Sequence, residues 1–398
     1  MKAMPATMTE KLYRSDGYVS EFEAEVTVVD GDCVVLGGTA FFPGGGGQVC
    51  DTGAIGGVRV TEVREENGEI LHKVPGHTFK VGDKIWCSVD WDRRYDLMKG
   101  HTAEHLLFSS MKRAVPELNI VKIYISPESK YTVVDADVPW DKISEAVCFA
   151  NRVIDENQPV RWTYVDKDHT DGIRGNFDKI EDEKVSVVEI GDVDASACCG
   201  VHVMETSEIG AIFVTKKVSA GKEGYEIHFE IGQDAIQSAV RMGISCHSIV
   251  EIMGSKPADI EKSVQNMANE LSVTKKQLKY NLQQALKRLK PSKIGNTDFY
   301  WGVYGTSDTK QLSATAETIK SDGGVALFMA VGKTVSVILT SGVPEVDCRE
   351  VLNEAIVPLG GRGGGKPGFA QGGIADNSVE AIDRAFDAVY ESVRKRLV

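Results

Sequence analysis

RRYDLMKGHTAEHLLFSSMKRAV, residues 93–115, is where the chain changes character. Apolar Leu97, Met98, Leu106 and Met111 recur at helical steps, with Arg93, Lys99 and Lys112 between them, which predicts an amphipathic helix. On such a helix His101 and His105 lie one turn apart on one face, where both imidazoles can reach a single metal ion. Everything before this stretch reads as strand, and everything after it as mixed helix and strand.

Upstream, EFEAEVTVV (21–29) and DCVVL (32–36) alternate with period two around the turn signal Asp30-Gly31. VRVTEV (58–63), EILHKV (69–74) and KIWCSVDW (84–91) follow at short spacing, which suits a small barrel or a sandwich, and residues 1–91 are assigned as a β-barrel domain. Downstream, DKISEAVCFANRVIDEN (141–157) reads as helix. QPVRWTYVD (158–166), EKVSVVEIG (183–191), IGAIFVTKKVS (209–219) and GYEIHFEIG (224–232) read as strands. Residues 92–232 therefore predict a two-layer α/β domain. Residues 233–293 predict a helical hairpin and 294–398 a C-terminal α/β domain, so the class is α+β. In the second helix of the hairpin Ile260, Val264, Met267, Leu271, Thr274, Leu278, Leu282, Ala285 and Leu289 make a coiled-coil-like seam.

The chain has 398 residues, and about 150 per domain allows two to four domains. No run of 18 or more apolar residues exists to span a bilayer, and MKAMPATMTE opens without a signal core; a cytoplasmic protein with no membrane partner is expected. Eight cysteines in such a chain read as thiols or metal ligands, with Cys33, Cys87 and Cys148 as small buried hydrophobes. The net charge is −13, which argues against indiscriminate nucleic-acid binding. Yet Ser272–Lys293 holds Lys275, Lys276, Lys279, Lys287, Arg288, Lys290 and Lys293 with no acidic residue. A solvated helix face and an RNA-facing one explain this run equally well.

The chemistry concentrates in three segments. His101 and His105 find a second half in Cys198-Cys199-Gly200-Val201-His202, where thiolate and imidazole at close spacing suit Zn²⁺. Gly200 would let that loop turn tightly, and Cys199 is a competing ligand. Gly100 either admits a substrate backbone or relieves helix packing. The other histidines, 72, 77, 169, 228 and 247, lack partners at ligand spacing and read as structural or surface groups. The second segment is GGTAFFPGGGGQVCDTG (37–53), whose glycines can bring backbone N–H groups near a ligand, with Thr39 and Gln48 as polar handles. A flexible hairpin is its plainer reading. The third is LGGRGGGKPGFAQGG (359–373). It fits a phosphate loop until Pro367, where Ser or Thr should stand, so nucleotide triphosphate hydrolysis is rejected.

This constellation resembles the editing domain of alanyl-tRNA synthetase and its free-standing relatives, the AlaX family, over most of the chain. His101, His105, Cys198 and His202 match the family's zinc positions, implying one Zn²⁺ per chain. Thr39, Gly45, Gly46, Gly47 and Gln48 match its glycine-rich motif, while Phe42, Gly44 and Glu226 depart from its pattern. GGRGGGKPGFAQGG is similar to the glycine-rich motif of the synthetase's C-terminal domain, which contacts the tRNA elbow and promotes dimerisation. With no aminoacylation domain before residue 1, the long, free-standing AlaX form is expected.

The resemblance implies a zinc-dependent hydrolase acting in trans on tRNA(Ala) mischarged with serine, or with glycine. Thr39 and Gln48 are the candidate catalytic and hydroxyl-sensing residues, and Gly45, Gly46 and Gly47 the substrate-binding ones. Lys275, Lys276, Lys279, Lys287, Arg288, Arg362 and Lys366 are expected on tRNA, and a homodimer is expected through the hairpin and C-terminal domain. The rival readings are a tRNA-binding protein with a purely structural zinc, and a zinc hydrolase of small esters or amides.

Overall fold

A computed structural model describes residues 9–175, 177, 183–306 and 308–398. It divides into two compact units, Met1–Ile249 and Val250–Val398. Among the described residues no helix is long and apolar enough to cross a membrane.

The first unit opens with strand β1 (Glu10–Lys11) and the single-turn helix α1 (Leu12–Ser15). Strands β2 (Glu21–Asp30), β3 (Cys33–Leu36), β4 (Gly38–Thr39), β5 (Gly53–Ile55), β6 (Val58–Val60), β7 (Glu62–Glu66), β8 (Glu69–Lys73) and β9 (Lys84–Val89) follow. Seven of them form one sheet in the order β6-β5-β9-β2-β3-β8-β7. Its two edge strands are separated in the chain by Thr61 alone, so the sheet curls until its edges nearly meet, as a barrel requires. VRVTEV, expected as one strand, is therefore two, broken at the corner. A register shift at Thr27 bends β2, whose first half pairs with β9 and second half with β3. The alternation read in the sequence is real: Phe22, Ala24 and Val26 point inward to join Val34, Leu36, Ile55 and Ile70.

Helix α2 (Trp91–Ala114) comes next. It is buried nearly all round from Leu97 to Met111, with only Lys99 and Ser109 less enclosed, so the one-sided apolar stripe expected of it is not what it shows. Strands β10 (Ile120–Ile125) and β11 (Lys130–Val134) were not legible as such. They pair with β16 (Tyr225–Ile231) and β15 (Ile212–Ser219) in the order β10-β11-β16-β15. Helix α3 (Trp140–Asp155) buries Ile143, Ala146, Ala150, Val153 and Ile154 and leaves Cys148 exposed on its outer face, correcting the expectation that this thiol is packed. Strands β12 (Val160–Asp166), β13 (Lys184–Ile190) and β14 (Asp194–Ala197) make a separate three-stranded sheet. Helix α4 (Gly232–Met253) begins in this unit.

In the second unit helix α5 spans Ile260–Lys287. A six-stranded sheet runs β17 (Ser292–Ile294), β18 (Thr297–Tyr304), β19 (Val325–Val331), β20 (Val335–Ser341), then the hairpin of β21 (Arg362–Lys366) and β22 (Phe369–Ile374), with β21 at the edge. Helices α7 (Cys348–Ile356) and α8 (Val379–Leu397) bury one face against Val325, Leu327 and Met329. Helix α6 (Thr309–Ser321), with Leu282 and Leu286 of α5, covers the other against Ala326 and Phe328. Only this end of the α5 seam is buried; Val264, Met267, Leu271 and Leu278 are exposed.

Candidate metal centre

Helix α2 places His101 and His105 with ring centroids 5.1 Å apart. The loop after β14 brings His202 to 4.4 Å from the His101 ring and 4.9 Å from that of His105. Cys198 Sγ lies 3.3 Å from His202 Nε2 and 3.6 Å from His101 Nε2. All four side chains are buried, and their ligand atoms lie within 4.8 Å of one another. The loop closes this tightly because residue 200 is glycine. A Cβ there would stand 2.3 Å from His101 Cε1. Gly100, by contrast, admits the stem of Lys130 and no ligand: a Cβ would meet Lys130 Cε at 2.6 Å.

Each of the three imidazoles is held from behind by an oxygen. His101 donates its Nδ1 hydrogen to Gln48 Oε1 at 2.8 Å. His105 Nδ1 faces Ser196 Oγ at 2.7 Å and Asp194 Oδ2 at 3.1 Å. His202 Nδ1 faces Thr102 Oγ1 at 3.2 Å, whose own hydrogen goes to Met98 O. With Nδ1 so engaged, every Nε2 is left for the centre of the cluster, the arrangement by which outer partners fix the tautomer of metal-binding histidines.

The charge balance agrees. Burial opposes ionisation of Cys198, yet His101, His202 and His105 hold its thiol well below the ordinary value, as a ligand thiolate requires. Burial also lowers His202, to about 3, whereas on His105 the neighbouring Cys198 and Asp194 outweigh burial and raise it to about 10, so His105 carries the proton that balances the thiolate and that a bound cation would displace. Asp194, buried but bonded to His105, Arg174, Ser109 and Ser196, stays a carboxylate far below its usual range. Three imidazoles and one thiolate, buried and oriented inward, are a donor set fit for a metal cation.

The glycine segment abuts this cluster. Gly45 and Gln48 exchange backbone hydrogen bonds of 3.0 and 3.1 Å across Gly46-Gly47, a two-residue turn in which both glycines have positive φ. The turn is docked on β10, with Ile125 N donating to Gly47 O and Val49 N to Ile125 O. A Cβ on Gly47 would lie 2.5 Å from Ile123 O, so the approach requires glycine. The Gly45 amide, expected on substrate, is spent inside the turn. The Gly46 and Gly47 amides donate to no protein group among the described residues. Gln48 Nε2 is likewise buried without a protein partner among them.

Thr39 lies elsewhere. Its hydroxyl is 2.9 Å from His72 Nε2 and accepts the Phe41 amide, inside the barrel. The structure thus brings Gln48 to the cluster and does not bring Thr39 there through any hydrogen bond. Arg94 was missed by sequence reasoning. Fully buried and paired with the equally buried Asp51, it also donates to Gly17 O at 2.8 Å, and Asp51 accepts the Phe42 amide at 2.6 Å. That pair ties the glycine segment to the start of α2. Asp194, Ser196 and Thr102 were missed too, because nothing in their local spacing marks them.

A pocket of about 750 Å³ opens beside the cluster and reaches His101, His105, Cys198, Cys199 and Gly46. In the second unit Lys275, Lys276, Lys279, Lys287 and Arg288 are exposed and form no ion pair among the described residues. Arg362 and Lys366 lie on the exposed edge strand β21, whose glycines keep a regular hairpin register with β22.

Three families match parts of the chain: "tRNA synthetases class II (A)" over residues 9–93, "Threonyl and Alanyl tRNA synthetase second additional domain" over 185–226, and the DHHA1 domain over 301–395. The alanyl-tRNA editing protein AlaX-L of Pyrococcus horikoshii is 31% identical over 98% of this chain and all of its own length. The alanine–tRNA ligases of Methanoculleus marisnigri and Archaeoglobus fulgidus are each 30% identical over 98% and 92% of this chain. The chain spans only 44% and 42% of those two ligases.

Proposed function

Because the chain belongs to the alanyl-tRNA editing proteins of the long AlaX form, we propose that it is a zinc-dependent deacylase acting in trans on tRNA(Ala) mischarged with serine, and secondarily glycine. The observation that carries this reading is the buried His101, His105, Cys198, His202 cluster, with every ring held at Nδ1, beside a pocket open to substrate. Mixed nitrogen and sulfur donors in a set of four suit zinc. Bound there, zinc would supply Lewis acidity to polarise an ester carbonyl or ease the ionisation of water.

The chain's own residues do the rest. The Gly46 and Gly47 amides, free of protein partners, suit an oxygen that gains charge as water adds to the ester carbon. The bond to the ribose oxygen then breaks, that oxygen takes a proton, and serine leaves. We place recognition of the seryl hydroxyl at Gln48, whose Oε1 is committed to His101 while its Nε2 is available. Thr39 contributes by fixing the segment that carries Gln48. Alanine and glycine both leave that buried donor unpaired, which is how a polar pocket ranks serine above substrates lacking a hydroxyl and makes glycine the slower of the two mischarged substrates.

The four-part division at 91, 232 and 293 assigns these tasks along the chain. Residues 1–232 hold the chemistry, while Lys275, Lys276, Lys279, Lys287, Arg288, Arg362 and Lys366 grip tRNA phosphates. The exposed apolar seam of α5 supports a homodimer through the hairpin and C-terminal domain, in the cytoplasm.

Four buried protein donors also suit a closed structural site, which favours a second reading: a tRNA-binding protein whose zinc only holds the fold. Chelation separates the two. A catalytic role predicts loss of deacylation with tRNA binding and circular dichroism retained; a purely structural role predicts unfolding of the first unit.

A further inference from the structure

The pocket beside the cluster is far larger than a seryl group needs, and its outer wall has a chemistry of its own. That wall is the three-stranded sheet. Cys198 N donates to Ser186 O at 3.0 Å, and Ser186 pairs directly with Tyr164 of β12, so both side chains stand on one face of the sheet. Lys184, two residues from Ser186, shares that face. Two strand spacings of about 4.8 Å put Tyr164 roughly 10 Å from the Cys198 backbone. That leaves room for a nucleoside between the cluster and the Tyr164 ring. The Tyr164 ring is 54% exposed, hydrogen-bonds to nothing and stacks on no other aromatic among the described residues. Lys184 is exposed and forms no ion pair among them, and Arg14 of α1 lines the same pocket.

An exposed tyrosine costs little by itself, and a single surface lysine means nothing. Here both project into the mouth of the pocket that holds the cluster, with the cationic Arg14 on its rim. An aromatic face beside cations is how single-stranded nucleic acid is held without base-pair readout. We propose that Tyr164 is the stacking platform for the terminal adenine, and that Lys184 and Arg14 take the phosphates leading to it. The inference rests on the editing reading above and adds the residues that seat the nucleotide. It makes them binding residues, since none of them reaches the cluster.

The test uses the full chain and adenosine 5′-monophosphate as a probe of the subsite, followed through Trp162, whose ring packs 5.8 Å from that of His202. AMP should bind wild type and Tyr164→Phe alike. Tyr164→Ala should weaken it about tenfold, within the range measured for loss of one base–aromatic stack. Lys184→Ala should weaken it and flatten its salt dependence. On Ser-tRNA(Ala), Tyr164→Ala should raise KM about tenfold with kcat nearly unchanged. Metal content should match wild type in every variant. Failure of wild type to bind AMP, or equal binding by Tyr164→Ala, overturns the subsite. Failure of wild type to deacylate any aminoacyl-tRNA while AMP binds as described would overturn the editing reading and leave an adenine site.

Discussion

Gln48 and His101 share a hydrogen bond of 2.8 Å from ring Nδ1 to amide Oε1, which joins the glycine segment to helix α2 at the atom that decides which imidazole nitrogen faces the centre of the cluster. Gln48 is buried, and its amide nitrogen has no protein partner among the described residues. The two ends of one side chain thus serve two tasks. Gln48→Ala should weaken metal binding roughly 10- to 100-fold by chelator competition, the usual cost of losing an outer partner. Gln48→Glu keeps an acceptor for His101 and removes the donor. It should retain metal and lose discrimination between Ser- and Ala-tRNA(Ala). A Gln48→Ala variant with wild-type metal affinity would refute the orienting role.

Arg94 and Asp51 are both fully buried, so removing one strands the other. Asp51→Ala should cost about 3–5 kcal/mol of stability in the first unit, measured by urea unfolding. Replacing both by leucine and methionine should cost clearly less than the single change, because no unpaired charge remains. Equal losses would show that the pair acts by packing alone.

His72 carries a pH dependence whose sign follows from its burial. Desolvation lowers its folded pKa from 6.5 to about 4, against a weaker raising effect of the Val34 carbonyl. Below pH 6.5 the unfolded chain takes up the proton and the folded one does not. Stability from this group is therefore complete above about 6.5 and is lost as pH falls through about 4, by up to ~3 kcal/mol. In His72→Gln the stability of the first unit should change less between pH 6.5 and 4.5 than in wild type. An unchanged slope would remove His72 as the source.

The lysines of α5 should act as a field. Replacing Lys275, Lys276 and Lys279 by glutamine should flatten the dependence of log affinity for tRNA(Ala) on log salt, by roughly one for each phosphate left without its cation. Deacylation of saturating substrate should be unaffected. A triple variant with the wild-type salt slope would place tRNA elsewhere.

The convergence of His101, His105, Cys198 and His202 was legible because each half is a local spacing: one helical turn for His101 and His105, one tight loop for Cys198 and His202. The barrel was legible from the alternation in Glu21–Asp30, though the break at Thr61 was not, since a barrel corner is set by closure and not by side-chain pattern. What escaped were partners distant in sequence. Nothing near Thr39 announces His72, which engages its hydroxyl from 33 residues away. Asp194 looks like any loop acid until His105, Ser109 and Arg174 converge on it. The edge strand Arg362–Lys366 was hidden by its glycines, which argue against strand in isolation and are overridden by pairing with Phe369–Ile374. Arg94 escaped because a one-sided amphipathic helix would leave its charges in water, whereas α2 is enclosed on nearly every side.

The most direct measurement is a deacylation time course with zinc-loaded protein on Ser-tRNA(Ala), Gly-tRNA(Ala) and Ala-tRNA(Ala), alongside His101→Ala and Cys198→Ala. Serine should be released, glycine more slowly, Ala-tRNA(Ala) should survive, and neither variant should be active. Survival of both mischarged tRNAs with the wild-type protein would contradict the editing reading.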